Sequence, residues 1–279
     1  MKNIHGPTVE GFGHEWSTLA QDRMGFRETK AQFHRYFAVF PWEDLPQGAE
    51  GIDVGCGSGR WAALVAPQVG RLHCIDASEK ALEVARRNLG AHPNVAFHLA
   101  SASQMPVEDG SLDFGYSLGV LHHVPDTQGA LVSCVRTLKA GAPFLVYLYY
   151  AMENRPLWFR GLWQVSNLAR RIISRFPFQL RRFLSFWVAA LVYFPLARLA
   201  RFFERLGAKV EVFPLSMYRT MSFYTMRTDA LDRFGTRLEK RFSRGQIKDM
   251  MEAAGLEDIR FHEDVPFWCA VGWKAEWDS

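Results

Sequence analysis

Between Gly48 and Tyr150 short apolar runs alternate with helical patterns. Parallel strands need long crossovers, and a helix is the usual way to make one, so this alternation restricts the chain to β-α-β units. Gly51-Ile52-Asp53-Val54 reads as the first strand, Arg71 to Ile75 as the second, Val95 to Leu99 as the third, Leu112 to Ser117 as the fourth and Pro143 to Tyr149 as the fifth. Ser78 caps a helix running through Ala81, Leu82, Val84 and Ala85, and Asp126 to Leu138 reads as another. Near the C-terminus Ser243 opens a helix through Met250, Met251 and Ala254 that Gly255 ends, followed by two strands at Ile259 to His262 and Phe267 to Trp273. The expected fold is α/β, with seven strands in a mostly parallel sheet flanked by helices.

Residues 151–242 interrupt that pattern and are too long for an ordinary connection. Leu157, Trp158, Leu162, Val165, Leu168 and Ile172 recur at helical spacing, so the insertion is expected to be a helical cap. The expected organisation is an N-terminal helical lid (1–47), a ligand-binding core (48–150), a basic, aromatic cap (151–242) and a final helix and hairpin (243–279). A chain of 279 residues, 48% hydrophobic, can bury such a core. The insertion holds 17 Lys/Arg against 6 Asp/Glu, a net +11 in a chain whose total is +4, which leaves the remainder at −7.

From Phe183 to Ala197 fifteen residues carry no charge, short of the roughly 20 that a membrane span needs, and Pro195 sits inside the run. A buried or interfacial helix is expected there. The aromatic and Arg-rich stretch 157–205 suits an anionic membrane or a lipid-linked substrate, yet it could equally bury its aromatics against the core or in a homodimer, and burial is the reading favoured here. No nucleic-acid module is present. Cys56, Cys74, Cys134 and Cys269 lack metal-site or disulfide spacing, so no metal is expected, and with no export signal at the start a cytoplasmic, possible membrane-peripheral, location is.

The most specific local signal is Asp53-Val54-Gly55-Cys56-Gly57-Ser58-Gly59-Arg60, directly between a predicted strand and a helix beginning near Trp61. Glycines there let the backbone approach a ligand closely. Their G-x-G-x-G spacing departs from the dinucleotide fingerprint G-x-G-x-x-G, because Arg60 stands where its next glycine would have to follow. Asp76 ends the second strand, where a carboxylate accepts hydrogen bonds from ribose hydroxyls.

Ile52 to Arg60 and Cys74-Ile75-Asp76-Ala77-Ser78 resemble the first two motifs of class I S-adenosylmethionine (SAM)-dependent methyltransferases of type 11, and Leu112 to Asp126 resembles their fourth-strand motif. Phe12-Gly13-His14-Glu15-Trp16 resembles the FGxEW motif of a subgroup. The resemblance covers roughly Gly11 to Tyr150 and the final hairpin, and implies a Rossmann-like fold with SAM as cofactor. It further implies that Gly55, Gly57 and Gly59 lie at the amino-acid part of SAM, Asp76 on the ribose and the third-strand end, with Ser101 and Ala102, beside the adenine, with Asp53, Ala77 and Leu118 also at the cofactor and Trp16 as a cover. Ser101 stands where the family often has an acidic residue, so Ser101 or Gln104 is left to meet the adenine.

Methyl transfer is an in-line displacement that needs alignment, dryness and, for a hydroxyl acceptor, a base. His122 and His123 follow the fourth strand and are the candidate bases, with Tyr149 beside them. Tyr147, and in the insertion Tyr218, Arg219, Tyr224 and Arg227, are candidate contacts to the acceptor, because phenols with guanidiniums suit carboxylates or phosphates. The expected reaction is methylation of a small-molecule, glycan or lipid-linked acceptor. Attack on another sulfonium carbon, giving methylthioadenosine, and a non-catalytic SAM-binding protein are the alternatives.

Overall fold

The structure, a computed structural model, describes residues 3–18, 26–210 and 213–276; for 14–18 and 26 it describes the backbone alone. Seven strands form one sheet: β1 (Glu50–Val54), β2 (Arg71–Asp76), β3 (Val95–Leu99), β4 (Phe114–Leu118), β5 (Pro143–Tyr147), β6 (Leu256–Phe261) and β7 (Cys269–Lys274). Their order is β3-β2-β1-β4-β5-β7-β6, parallel except for β7, which runs antiparallel to β5 and β6. The helices are α1 (Gly6–Thr18), α2 (Phe26–Tyr36), α3 (Ala62–Val65), α4 (Glu79–Asn88), α5 (Thr127–Arg136), α6 (Leu157–Ile173), α7 (Phe178–Val188), α8 (Phe194–Arg205), α9 (Phe223–Gly235) and α10 (Arg244–Ala253).

Strand periodicity sends alternate residues to opposite faces, and here both faces are buried. Ile52, Val54, Phe144 and Val146 join Leu131, Val135, Ile247 and Met251 from α5 and α10 in one core cluster. Leu72, Cys74, Phe114, Tyr116 and Leu145 join Leu82, Leu89 and the α2 region's Phe33, Phe37 and Phe40 in the other. Residues 1–47 are therefore no single lid, since the aromatics from Phe33 to Phe40 are core.

Several strand ends differ from expectation: β6 begins at Leu256 instead of Ile259, and β7 runs from Cys269 to Lys274 instead of from Phe267 to Trp273. Leu112 makes only an isolated bridge to Leu138, so β4 starts at Phe114. β5 stops at Tyr147, because the next backbone groups leave the sheet: Tyr149 accepts from Phe242 N–H and Ala151 donates to Phe242.

The chain divides into two compact units, one of Met1–Gln21, Thr29–Ala151 and Leu238–Ser279, the other of Asp22–Glu28 and Met152–Arg237. The inserted unit thus ends at 237, not 242, since Phe242 pairs beside Tyr150. Within the inserted unit α7 continues through a π-turn at Ala189–Tyr193 into α8, giving one helix, Phe178–Arg205. Its inner face, with Ala189, Tyr193 and Ala197, packs on Met221, Met226, Ala230 and Phe234. Several arginines work inside this unit: Arg170 donates to the carbonyl of Thr236 and Arg181 to that of Gly235, closing the C-terminal end of α9 where carbonyls lack helical partners. Arg198 donates to the carbonyls of Arg219 and Met221.

Several aromatics of 157–205 that were expected to be buried are exposed in this chain. Trp158, Phe183, Trp187 and Phe202 are 56, 58, 45 and 55% exposed.

Candidate cofactor cleft

Past the end of β1 the chain turns back sharply. The N–H groups of Gly55 and Cys56 both donate to the Ile75 carbonyl, at 2.7 and 2.9 Å. Gly55 has φ +82°, and a Cβ there would sit 2.4 Å from Val120 Cγ1, so both backbone and space require glycine. Asp76 locks the turn from the next strand: its Oδ2 accepts from Gly57 N–H at 2.9 Å and its Oδ1 from Ser78 N–H at 2.8 Å. Burial raises its pKa and these amides oppose the rise. The amides of Gly57, Ala77 and Ser78 all bond this carboxylate, whose two oxygens together have room for a further bond.

Gly55, Gly57, Asp76, Ala77, Ser101, Ala102 and Leu118 line one cleft, together with Val120 and His123. Ser101 is 2% exposed, and its Oγ has no partner among the described residues. A buried hydroxyl left unpaired costs about 1–3 kcal/mol, so this one fits a ligand atom. The same place is where sequence left Ser101 and Gln104 undecided, and Gln104 does not line the cleft. Glycine turn, strand-end carboxylate and orphan hydroxyl suit a nucleoside joined to an amino acid.

Two of the expected cofactor residues do other work. Asp53 lies behind the turn, 2% exposed, and accepts a hydrogen bond from Tyr116 Oη at 3.0 Å. Burial, helped by the charge of Asp76, pushes its pKa up to about 8 despite that bond. Gly59 faces α4, where a Cβ would meet Leu89 at 2.7 Å, so it serves helix packing. The Trp16 side chain lies outside the described residues.

The two histidines separate. His123 lines the cleft, and its Nδ1 is 2.7 Å from the Leu238 carbonyl. A carbonyl only accepts, so Nδ1 carries the proton and Nε2 the lone pair of the neutral ring. His122 is fully buried and lines no part of the cleft. Its Nδ1 accepts from Tyr149 N–H at 3.4 Å, its ring stacks on Tyr149 at 3.8 Å, and burial drops its pKa well below the usual imidazole range. His122 is therefore a neutral packing residue and not a base. Tyr149 lies between that ring and the Arg241 guanidinium, 5.0 Å over it. Tyr147 packs edge-on against Tyr36 at 5.1 Å, and burial pushes its phenol pKa up. Neither tyrosine lines the cleft.

The acceptor candidates of the insertion serve the inserted unit itself. Tyr218 is buried against Tyr193 at 5.2 Å. The Arg219 fork is taken by Glu204 Oε1 at 2.7 Å and the Ser216 carbonyl at 3.0 Å, and Arg227 lies 5.4 Å over Tyr224.

An N-terminal cover over the cofactor was expected, but not the residues before Phe12 that form it. Asn3, Ile4, His5, Thr8, Val9 and Phe12 line the cleft, and Phe12 lies 5.1 Å from the His123 ring. Asn3 fixes this wall by exchanging two 2.7 Å bonds with the Asp126 backbone. Close packing of α1 on α4 requires Gly13, where a Cβ would meet Ser78 Oγ at 2.6 Å. The Gly13 position was the available signal. No group of His, Cys, Asp and Glu able to hold a metal occurs among the described residues.

A sequence family described as a methyltransferase domain matches residues 52–146. Those residues are an S-adenosylmethionine-dependent methyltransferase domain. The domain's cofactor is SAM, and its glycine turn, Asp76 and Ser101 fit it. A ubiquinone biosynthesis O-methyltransferase of Thiobacillus denitrificans is 34% identical over 110 residues, 39% of this chain and 46% of the relative. A demethylmenaquinone methyltransferase of Staphylococcus aureus is 35% identical over 99 residues, 34% of this chain and 41% of the relative. The match spans about half or less of these relatives. Among solved structures, a Bacillus halodurans protein described as a methyltransferase is 17% identical with a TM-score of 0.52, covering 83% of this chain and 72% of that one. A chain from a Haloferax volcanii complex of a methyltransferase with its activator gives 15% and 0.54, covering 95% and 98%. At these identities the likeness establishes the methyltransferase fold.

Proposed function

We propose that this protein transfers the methyl group of SAM to a hydroxyl or amine of a small-molecule acceptor, glycan- and lipid-linked acceptors included, with His123 as the base. One observation carries the reading: the cofactor cradle and an imidazole whose tautomer leaves a lone pair share one cleft. Bound SAM supplies an electrophilic methyl carbon. The chain's residues do the rest: Gly55 and Gly57 admit the amino-acid end, Asp76 and Ser101 orient the nucleoside, and His123 Nε2 takes the acceptor proton as the oxygen or nitrogen attacks in line. The wall from Asn3 to Phe12 excludes water. The O-methyltransferase named among the relatives favours a hydroxyl acceptor. The inserted helical unit is read as a cap, and the location as cytoplasmic, in keeping with four buried, unbridged cysteines.

Calorimetric titration with SAM tests the cofactor half of the proposal. Micromolar binding that Asp76→Ala weakens at least about tenfold is expected, a ribose carboxylate's two charge-assisted bonds being worth that much. An acceptor screen tests the other half: S-adenosylhomocysteine as product supports methyl transfer, whereas methylthioadenosine means that another sulfonium carbon is attacked. Absence of SAM binding overturns the reading.

A further inference from the structure

Of the large hydrophobic side chains exposed among the described residues, all but Leu99 and Val132 fall between Leu157 and Leu206. On α6 the exposed Leu157, Val165, Leu168 and Ile172 follow helical spacing along one side. On the Phe178–Arg205 helix Phe183, Trp187, Leu191 and Phe202 are 45 to 68% exposed, whereas Ser185, Ala189, Tyr193, Ala197 and Ala200 are buried in the same turns. One side of this helix is thus held to its own unit along its length and the other is bare. Exposed cations accompany the bare side: Arg160, Arg171, Arg175, Arg182, Arg201 and Arg205, with Glu204 the sole acidic residue from 157 to 209.

We propose that α6 and the long helix dock this protein on an anionic membrane surface, lying in the interface rather than crossing it. The chemistry is complementary: leucine, tryptophan and phenylalanine enter the acyl boundary, and arginines meet lipid phosphates beside them. A second copy of this chain is disfavoured as the occupant, because it would bring the same arginines against these. Crossing is disfavoured too. Although Phe178–Arg205 is apolar and long enough to span, its inner face is packed on Met226 and Ala230, and Arg198 within it is bonded to two carbonyls of its own unit.

The test is flotation of the full chain with vesicles of phosphatidylcholine alone or mixed with phosphatidylglycerol, with light scattering in parallel. Binding to the mixed vesicles about tenfold tighter or more, weakening as salt rises, is expected. Leu191→Glu with Phe202→Glu should abolish it, and Arg171→Gln with Arg182→Gln should remove the lipid preference. Both pairs are exposed, and unchanged binding of SAM to the variants shows that they fold. Failure to float, equal binding to both vesicles, or a dimer in solution that Leu191→Glu splits would each overturn the proposal. None of these readouts depends on methyl transfer, so the docking surface and the proposed reaction stand or fall separately.

Discussion

His122 and His123 are chemically identical neighbours that the fold sets in opposite tautomers. The lone pair of His122 sits on Nδ1, against the Tyr149 amide, and that of His123 on Nε2, because Leu238 takes its Nδ1 proton. His123→Gln should therefore lower kcat by about 10²–10⁴-fold while moving SAM affinity only a few-fold, and His122→Gln should chiefly lower the melting temperature. Buried titratable groups also fix a pH signature. Asp53 binds its proton more tightly folded than unfolded, so its contribution is present at acid pH and drains away as pH rises from about 4 to about 8. Asp53→Asn should flatten that fall, gaining on the order of a few kcal/mol on the parent between pH 5 and pH 8 in urea unfolding. His122 acts in reverse: its folded pKa is depressed, so stability is lost as pH falls below about 6.5. At this scale Asp76 lines the cleft that sequence assigned it to, whereas Asp53 lies behind the turn. Adjacency to a glycine turn says nothing about which side of the turn a carboxyl faces, and the partner that decides the role of His123 lies 115 residues away.

Elements were the most legible level. β1, β2 and β3 fall where apolar runs sit between turn residues, and the three residues read as opening helices are caps: Ser78 accepts from Ala81 N–H, Asp126 from Gly129 N–H and Ser243 from Gln246 N–H. The last is reciprocated by the Gln246 side chain, so Ser243→Ala should cost about 1 kcal/mol by denaturant unfolding without touching SAM binding. Gly55→Ala should do the opposite, abolishing SAM binding through a Cβ driven into Val120. What periodicity could not supply was the end of β5. Tyr147 to Tyr150 look strand-like, but where their backbone groups bond depends on His122 and Phe242, which no local pattern names.

For the whole molecule, the change of period near residue 150 lies close to where the second compact unit's main segment, Met152–Arg237, begins, whereas no change of period points to Asp22–Glu28, which groups with it. Nor does a pattern point to the outward-facing aromatics, because spacing shows that a helix has an apolar side and not what covers it. Every described residue lining the cleft belongs to the sheet unit. SAM at about a hundred times its Kd should thus stabilise that unit by about 2.7 kcal/mol. Hydrogen exchange should slow around Gly55, Asp76 and Ser101 and stay unchanged from 157 to 206. The position of Leu238 carries one more implication, about synthesis. All the cleft walls lie between Asn3 and Val124, so during translation the cofactor's seat leaves the ribosome first and the helical unit after it. Only then does the emerging chain acquire the carbonyl of Leu238, so the group that points the proton on His123 is made after every described wall of the cofactor cleft.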